Sequence, residues 1–289
     1  MSPRSPSRLR SRPLSPSAAH AVSHAASHAR ADAGADSPLF VGAVAKCFQV
    51  LEALNVAGRP LGLTELAGIA GLDRSATQRM THTLRVLGYL RQDPGTRAFT
   101  LSGRMLEFGH TVLATDWLRD CAQPHLEALN RRVGETVNLM ELQEHEIVYM
   151  LRYPSIHAVS VDLHVGSRLP AFCSAAGRAM LAAMDEARAM AILKASKRTA
   201  MTAKTVTDLP GLLEKLEAAR ALGYALNDQE AFVGDISVAA AVLDRQGQPI
   251  GAVNIAVPSP RWQLADVLTR LVPPLLKTAA AIQKQVKAY

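Results

Sequence analysis

Hydrogen-bonding and basic side chains are concentrated between residues 74 and 85. At 100° per residue, Ser75, Gln78 and His82 fall on one side of a helix, with Arg79 on its flank. Glutamine pairs well with adenine and arginine with guanine, while Ser and Thr hydroxyls serve bases or phosphates. The pattern therefore predicts a helix that reads the major groove of DNA. The predicted DNA-binding residues are Thr64, Arg74, Ser75, Thr77, Gln78, Arg79, His82 and Arg97.

A second group of residues could bind a small anion. Ser174-Ala175-Ala176-Gly177 has small side chains at a predicted helix start. Its backbone N–H groups could approach a carboxylate at the positive helix end, although close strand–helix packing needs the same small residues. Asn254 lies inside an apolar strand and would need a partner if it is buried. A ligand is one candidate for that partner.

Two charged residues have equally open interpretations. Arg152 could pair bidentately with a carboxylate, or it could be an ordinary surface charge. Asp228 could accept a hydrogen bond from a ligand hydroxyl, or it could be a turn residue of Asn227-Asp228.

A catalytic interpretation rests on Cys173, with His164 and Asp162 upstream as a base and its partner. Alternation along a strand points Asp162 and His164 to one face, but nothing places either beside Cys173. The sequence has no Gly-rich phosphate loop, metal signature or nucleophile elbow, and His20, His24 and His28, which are four residues apart, fit a polar tail better than a metal site. It therefore predicts neither an enzyme nor a metal or cofactor.

Two helices precede the polar helix. Val44, Cys47, Phe48, Leu51 and Leu54 follow the i, i+3, i+4, i+7 spacing of an amphipathic helix that stops at Gly58. Thr64 is predicted to cap a second, short helix, and Gly71-Leu72 makes a tight turn.

The polar helix and the residues after it complete a known layout. Asp73 is predicted to cap the third helix, which runs to Leu87 and ends at Gly88 in a left-handed conformation. Two short strands, 89–92 and 97–101, then surround a Pro-Gly turn. Three helices followed by a hairpin predict a winged helix-turn-helix.

The rest of the chain alternates strands and helices, which predicts an α+β or α/β sensor-sized domain. The apolar segment 159–165 is predicted to be one of its strands, and the last helix is predicted to bend at Pro273-Pro274. The predicted units are a disordered tail at 1–38, a DNA-binding domain at 39–101, a linker helix at 102–115 and an effector-binding domain at 116–289.

The net charge of +7 is unevenly distributed. Residues 39–115 carry eight basic against five acidic residues, whereas residues 116–289 carry nineteen against eighteen. The positive end is the one predicted to meet a polyanion. Three dispersed cysteines favour a reducing cytoplasm, and no apolar run reaches the roughly 18 residues of a membrane helix.

Several separated motifs resemble one family. Residues 61–67, 71–79 and 87–90 are similar to the N-terminal domain of IclR-family transcription regulators. Residues 166–170, 174–179, 227–230 and 251–255 are similar, in order, to that family's effector domain. The resemblance covers about residues 40–286. Within it, residues 159–171 resemble the subgroup that governs aromatic-acid degradation.

The resemblance implies an α+β fold, with an N-terminal winged helix-turn-helix joined by a linker helix to a GAF-like α/β effector-binding domain. It also implies a homodimer or dimer of dimers on double-stranded DNA, with a small organic acid as effector. An aromatic acid such as a hydroxybenzoate is the leading candidate. An alternative function is a small-molecule sensor that acts through protein partners. The expected effector contacts are Arg152, Val161, Leu169, Ser174, Ala175, Ala176, Asp228, Ile236, Ser237 and Asn254.

Overall fold

The computed structural model describes residues 37–157 and 163–288. Nearly all of the predicted tail, together with Val161 and Asp162, lies outside the described residues. The first elements are α1 (Gly42–Ala57), α2 (Leu63–Ala70), α3 (Arg74–Val86) and a hairpin of β1 (Leu90–Gln92) and β2 (Phe99–Leu101). The predicted winged helix-turn-helix layout is confirmed.

The core of this unit explains why the elements pack as they do. Leu61 pairs with Phe99 of the hairpin through two backbone hydrogen bonds, which ties the hairpin to the helices. The predicted apolar face of α1 is only partly correct, because Leu54 is buried but Val44 and Phe48 are exposed. The buried residues that form the core include Val50, Ala53, Leu54, Leu61, Leu66, Leu84, Leu90 and Phe99.

The predicted cap at Thr64 is wrong. Helix α2 begins one residue earlier, at Leu63, and its N-cap is Gly62, which has no side chain to accept a hydrogen bond. Thr64 is therefore an exposed residue of the first turn.

A linker helix, α4 (Met105–Ala114), follows the hairpin. It begins three residues after the predicted start at Ser102. The Ser102 hydroxyl donates to the Gly88 carbonyl over 2.6 Å, and the Arg104 guanidinium donates to the Leu87 carbonyl over 2.6 Å. The start of the linker is thus fixed to the end of α3.

The larger unit is built on a six-stranded antiparallel sheet in the order β5-β4-β3-β8-β7-β6. It confirms the predicted α+β class. The strands are β3 (Thr136–Gln143), β4 (Glu146–Tyr153), β5 (Arg168–Pro170), β6 (Ala225–Asp228), β7 (Asp235–Leu243) and β8 (Pro249–Pro258).

Helices cover both faces of this sheet. One face carries α5 (Trp117–Val133) and the C-terminal helix α9 (Val272–Ala288). The other face carries α6 (Ala175–Ala183), α7 (Glu186–Ala195) and α8 (Leu209–Leu222). Successive side chains of a strand that is covered on both faces point alternately into two apolar layers. A polar side chain in either layer needs a hydrogen-bond partner there and is therefore a candidate for a functional role.

Two sequence expectations about this unit need adjustment. The described part of the predicted strand at 159–165 is not a strand, and Arg168–Pro170 pairs with β4 instead. Near the predicted bend of the last helix the structure has a π-helical stretch, Val267–Leu271, and only Val272 separates this stretch from Pro273-Pro274. Two consecutive prolines remove two backbone donors, so the preceding turn cannot keep regular α-helical hydrogen bonds. Within residues 37–157 and 163–288, no helix is both long and apolar enough to span a bilayer.

Candidate functional site

A basic groove lies between α3 and the hairpin, which forms the wing. The Asp73 carboxylate accepts from the Ala76 N–H over 2.7 Å and so fixes the start of α3, as predicted. Gly88 ends the helix at φ +83°, where the Gly88 N–H donates to Arg85 and the Tyr89 N–H to Leu84. Both ends of α3 are therefore held by local hydrogen bonds.

Six of the eight residues predicted to bind DNA line this groove. It is open and has a volume of about 710 Å³. No acidic residue lines it among the described residues, so its potential is positive. The six predicted residues are Arg74, Ser75, Gln78, Arg79, His82 and Arg97; Thr81, Thr83, Arg85, Gln92 and Thr96 join them.

Thr77 does not belong to the groove. It is fully buried, and its hydroxyl donates to the Asp73 carbonyl over 2.9 Å. Thr81, which borders the groove, is also buried, and its hydroxyl donates to the Gln78 carbonyl. A threonine that satisfies its hydroxyl within its own helix can fill a core position. Polarity alone therefore misplaced Thr77, and Thr64, although exposed, does not line the groove either.

The wing places Arg97 at the groove through an unusual backbone conformation. Arg97 has φ +61°, and its N–H donates to the Asp93 carbonyl over 2.9 Å. The Asp93 carboxylate accepts from Gly95 N–H and Thr96 N–H, which holds the turn. These hydrogen bonds, Thr96 first, lower the pKa of Asp93 below its ordinary value.

The second candidate site is a cavity of about 280 Å³ between the sheet and the start of α6. Its floor is formed by the faces of β3, β4, β7 and β8 that point toward α6. The segment around Phe232 and Gly234 forms one wall, and Leu163 and Leu169 line another part.

A row of three polar side chains crosses the floor. Arg152, Asn138 and Asn254 are direct cross-strand neighbours on β4, β3 and β8. Arg152 Nη1 donates to Asn138 Oδ1 over 3.2 Å, and Asn138 Nδ2 donates to Asn254 Oδ1 over 2.7 Å. Asn138 and Asn254 are both buried. The row places two amide groups and one positive charge in the cavity lining.

A β-bulge explains why both Tyr149 and Arg152 line the cavity. Residues three apart on a regular strand point to opposite faces. Here the register of β4 against β3 shifts at Leu139/Met140, and Met150 and Leu151 both pack on the side of α5 and α9. The extra residue returns Arg152 to the face that carries Tyr149.

The small residues at the start of α6 serve both predicted purposes, since some line the cavity and one allows close packing. The Ser174 hydroxyl accepts from the Gly177 N–H over 3.1 Å, so Ser174 is the N-cap. Ala175 and Ala176 line the cavity, and an α-helix offers no internal acceptor to its first N–H groups. Gly177 serves packing, because a Cβ there would lie 2.3 Å from the Ala171 carbonyl oxygen.

The ionisable groups that line the cavity differ in their pKa values and in their partners. Burial raises the pKa of Asp235 to about 7, although the charge of Arg152 opposes that shift. Burial, together with the charge of Asp235, also raises the pKa of Tyr149, so its phenol is neutral. Glu135 is already engaged by Arg261 and by Trp262 Nε1, the latter at 3.0 Å.

Seven of the ten predicted effector contacts line the cavity, and two do not. Ile236 points to the opposite face of β7, where it packs with the residues beneath α5 and α9. Asp228 lies outside the cavity, and its carboxylate accepts from Lys204 Nζ over 2.8 Å. Val161 lies outside the described residues. The seven are Arg152, Leu169, Ser174, Ala175, Ala176, Ser237 and Asn254.

Sequence reasoning missed several residues of the cavity, among them Asn138, Tyr149 and Asp235. Asn138 carried a usable signal, because it interrupts an apolar strand just as Asn254 does. Tyr149 and Asp235 carried no such signal. A bulge decides which face Tyr149 occupies, and the point where β7 begins decides the face of Asp235.

Cys173, the centre of the catalytic alternative, is sealed in the core. Its thiol is buried and contacts the Pro170 carbonyl and the Met201 sulfur. Burial raises its pKa to about 12, whereas the nucleophilic form of a cysteine is the thiolate. Cys173 acts as a small apolar residue here.

A basic winged helix-turn-helix joined by a helix to a domain with a small polar cavity is the layout of a DNA-binding transcription regulator. Two family models match the chain: "Bacterial transcriptional regulator IclR C-terminal" over residues 110–284 and "IclR helix-turn-helix domain" over residues 43–94. The first alone covers more than half of the chain, so the chain belongs to the IclR family.

Named relatives agree with this assignment. The chain is 31% identical to the Pca regulon regulatory protein of Pseudomonas putida, covering 86% of this chain and 85% of that protein. It is 30% identical to the p-hydroxybenzoate hydroxylase transcriptional activator of Acinetobacter baylyi, covering 86% and 92%. Because these relatives are transcription regulators, membership of the family identifies the chain as a transcription regulator and not as an enzyme.

A solved structure shares the fold. It is an IclR homolog complexed with 4-hydroxybenzoate from Microbacterium hydrocarbonoxydans. The TM-score is 0.71 at 24% sequence identity, and the match covers 86% of this chain and all of that chain.

Proposed function

We propose that the protein binds operator DNA through α3 and the wing, and that an aromatic monocarboxylic acid binding in the cavity changes its affinity for that DNA. The observation that carries this proposal is the Arg152–Asn138–Asn254 row in the cavity of the second domain, because a guanidinium and amide donors are groups that can bind a carboxylate. The names of two relatives and the ligand of one structural neighbour support an aromatic acid such as a hydroxybenzoate.

The DNA contacts follow from the groove. Ser75, Gln78 and Arg79 lie in the first half of α3, the part of a recognition helix that enters the major groove. Arg97 on the wing would contact the backbone or the minor groove. The DNA-binding domain is assigned to residues 39–101, the linker to 102–115 and the effector-binding domain to 116–289.

A homodimer, or a dimer of dimers, would cover exposed apolar surface on α1 and the linker helix. Phe48 on α1 is 58% exposed, and Leu106 and Phe108 on α4 are 75% and 56% exposed. Apolar side chains clustered on two helices are typical of a surface that is buried in an assembly. A two-fold dimer would present two recognition helices to a palindromic operator.

Strand β3 offers a route from the cavity to the linker. Asn138 faces the cavity, and Glu141, three residues later, contacts Asp116, the N-cap of α5. Asp116 lies two residues after α4 ends, and Arg119 donates to the Leu113 carbonyl of α4 over 3.5 Å. A ligand that moves β3 would therefore move the end of the linker helix and change the spacing of the two recognition helices.

The alternative, a sensor that acts on protein partners, is less compatible with the groove. Protein-binding surfaces are depleted of charge at their centre, whereas this groove holds Arg74, Arg79, Arg85 and Arg97. The named relatives are transcription regulators, which favours the DNA-binding function.

The test is fluorescence anisotropy on the DNA upstream of the protein's own gene, titrated first with salt and then with benzoate, 4-hydroxybenzoate and short-chain acids. We expect sequence-selective binding that weakens steeply with salt, because each neutralised phosphate releases counterions. One aromatic acid should change the affinity. Binding that is indifferent to salt and to sequence would refute the proposal and favour the partner-sensor alternative.

A further inference from the structure

The exposed face of the C-terminal helix α9 carries only basic charges. Lys277, Lys284 and Lys287 are all exposed, and spacings of seven and three residues place them on one side of the helix. The buried side, which includes Ile282 and Val286, packs into the core shared with the sheet and α5. The three lysines therefore form a lysine stripe along the outer side of α9.

The stripe concentrates positive charge in a domain that is otherwise slightly acidic. Residues 116–266 carry fifteen basic against eighteen acidic residues, whereas residues 267–289 carry four basic residues and no acidic one. In the part of the chain that the structure describes, no carboxylate pairs with a lysine of the stripe. The fourth cation is Arg270, whose guanidinium lies 4.8 Å from the centre of the Trp262 ring. Such a row of unpaired cations favours a polyanionic partner.

The stripe ends on the side of the domain that joins the linker helix. The Leu243 N–H donates to Gln283 Oε1 over 3.2 Å, so the last turns of α9 lie at the end of β7. Val242 pairs there with Gly251 of β8, and a Cβ at Gly251 would lie 2.8 Å from Leu118 in the first turn of α5. Since α5 follows the linker helix after two residues, the stripe begins near the linker and leads away from it.

The dimensions of the stripe suit the backbone of a DNA duplex. At about 1.5 Å per residue, Lys277 and Lys287 are about 15 Å apart along the helix. A duplex carries one phosphate charge per about 1.7 Å of its axis, so that length faces about nine phosphates. The lysines would therefore meet phosphates in any register, as expected of a contact that does not read sequence.

We propose that the lysine stripe of α9 is a second DNA-binding surface, which contacts phosphates outside the base pairs read by α3 and the wing. This inference rests on the DNA-binding part of the proposed function and extends it to the effector-binding domain. A protein partner fits the stripe less well, because protein interfaces are rich in aromatic residues and poor in lysine. Helix α9 has no aromatic residue, and its other exposed positions include Pro273 and Ala280.

The experiment is fluorescence anisotropy of the full chain on two duplexes. The short duplex is the shortest piece of the DNA upstream of the protein's own gene that keeps sequence-selective binding. The long duplex extends it at each end by about 15 base pairs, or about 50 Å. Helices α4 and α9 have 10 and 17 residues, so in line they span about 40 Å, which is less than this extension.

We expect the parent protein to bind the long duplex at least about threefold more tightly than the short one. The dependence of its affinity on salt should also be steeper on the long duplex, because each phosphate contact adds about 0.9 to the slope of log K against log salt. A longer duplex also offers more non-specific sites, so variants are needed to assign the difference.

Lys277→Gln/Lys284→Gln removes two charges of the stripe and replaces them with residues of similar helix propensity. It should bind the short duplex as the parent does, bind the long duplex about threefold to tenfold more weakly, and lose about two units of salt slope there. The matched control, Lys194→Gln/Lys197→Gln, removes two exposed charges in and directly after α7, on the other face of the sheet. It should match the parent on both duplexes.

Two outcomes would overturn the inference while leaving DNA binding through α3 intact. The first is a stripe variant with the affinity and salt slope of the parent on both duplexes. The second is an equal loss in the control variant, which would show an effect of net charge alone. If the parent bound neither duplex selectively, the proposed function itself would fail.

Discussion

Asn138 Nδ2 donates to Asn254 Oδ1 across the cavity floor at 2.7 Å. This bond uses the acceptor of Asn254 and leaves its amide donor for a ligand. At the same time Asn138 Oδ1 accepts from Arg152, so one buried amide orients both a donor and a guanidinium. The row is pre-organised, which reduces the ordering cost of binding.

Replacing Asn254 with Ala should weaken effector binding while leaving DNA binding without effector unchanged. The variant removes a ligand donor and the partner of Asn138, and a lost buried hydrogen bond costs about 1–3 kcal/mol. Calorimetry with 4-hydroxybenzoate should show a Kd raised about tenfold or more. An unchanged Kd would remove Asn254 from the site.

Replacing Arg79 with Ala should cost about 1–3 kcal/mol on the operator if Arg79 reads a base. Its position in the first half of α3 favours base contact over phosphate contact. Anisotropy titrations on operator and on random DNA separate the two roles. An equal loss on both DNAs would mean a phosphate contact.

Thr77 and Ser75 should behave in opposite ways, although both were predicted to touch DNA. Thr77→Val keeps the size of a fully buried side chain and removes only the hydroxyl's bond to the Asp73 carbonyl within α3, so DNA affinity should stay within about twofold of the parent value. Ser75→Ala removes an exposed hydroxyl of the groove and should weaken operator binding without changing the melting temperature. A large loss of DNA affinity in Thr77→Val would contradict its core position.

Sequence reasoning succeeded where local rules decide the structure. The Asp73 cap, the Gly88 helix end and the hairpin all follow from residue type and spacing, and all are present. It failed where a position depends on tertiary packing. Thr77 was predicted to face DNA because it is polar. Its hydroxyl donates a hydrogen bond within α3, however, so the side chain can be buried in the core.

The cavity shows the same division. Ser174 and Asn254 were accessible to sequence reasoning, because a helix cap and a polar residue in an apolar strand are local signals. Ile236 was assigned to the wrong face, since its neighbour Ser237 occupies the cavity side of β7. Tyr149 and Arg152 share a face only because of a β-bulge, and no residue type in β4 predicts that bulge.

Replacing Arg178 with Met should destabilise the effector-binding domain by about 3–5 kcal/mol. The Arg178 guanidinium and the Glu230 carboxylate form a bidentate pair, and both side chains are almost fully buried. Burial opposes ionisation of Glu230, but Arg178, helped by Lys215, holds its pKa below the ordinary value. Without Arg178 the buried carboxylate keeps Lys215 at 3.0 Å and the Val206 N–H at 3.3 Å, but loses its bidentate partner.

Chemical denaturation measures this loss, and the double variant Arg178→Met/Glu230→Leu controls for it. Removing both charges should recover much of the stability, because an apolar pair of similar volume avoids the cost of an unpaired charge. A double variant as unstable as the single one would show that Arg178 matters through shape or through its backbone hydrogen bonds to Phe172 and Leu226.

Glu141→Gln should stabilise the protein at pH 8 and have little effect near pH 4.5. Burial, together with the charge and hydrogen bonding of Asp116, raises the pKa of Glu141 to about 7 from its ordinary 4.5. Asp116 Oδ2 is buried, and no donor among the described residues reaches it, so the two carboxyls form a hydrogen bond only while one is protonated. The proton is bound more tightly in the folded state than in the unfolded state. The stability it provides is complete below pH 4.5 and is lost as the pH rises to about 7.

Because Gln resembles the protonated carboxyl, the melting temperature of Glu141→Gln should exceed that of the parent protein by an amount that grows between pH 4.5 and 7 and then stays constant. Glu214→Gln, at an exposed position of α8, should show no such trend. A melting-temperature difference that is the same at every pH would mean that Glu141 carries no proton in the folded protein.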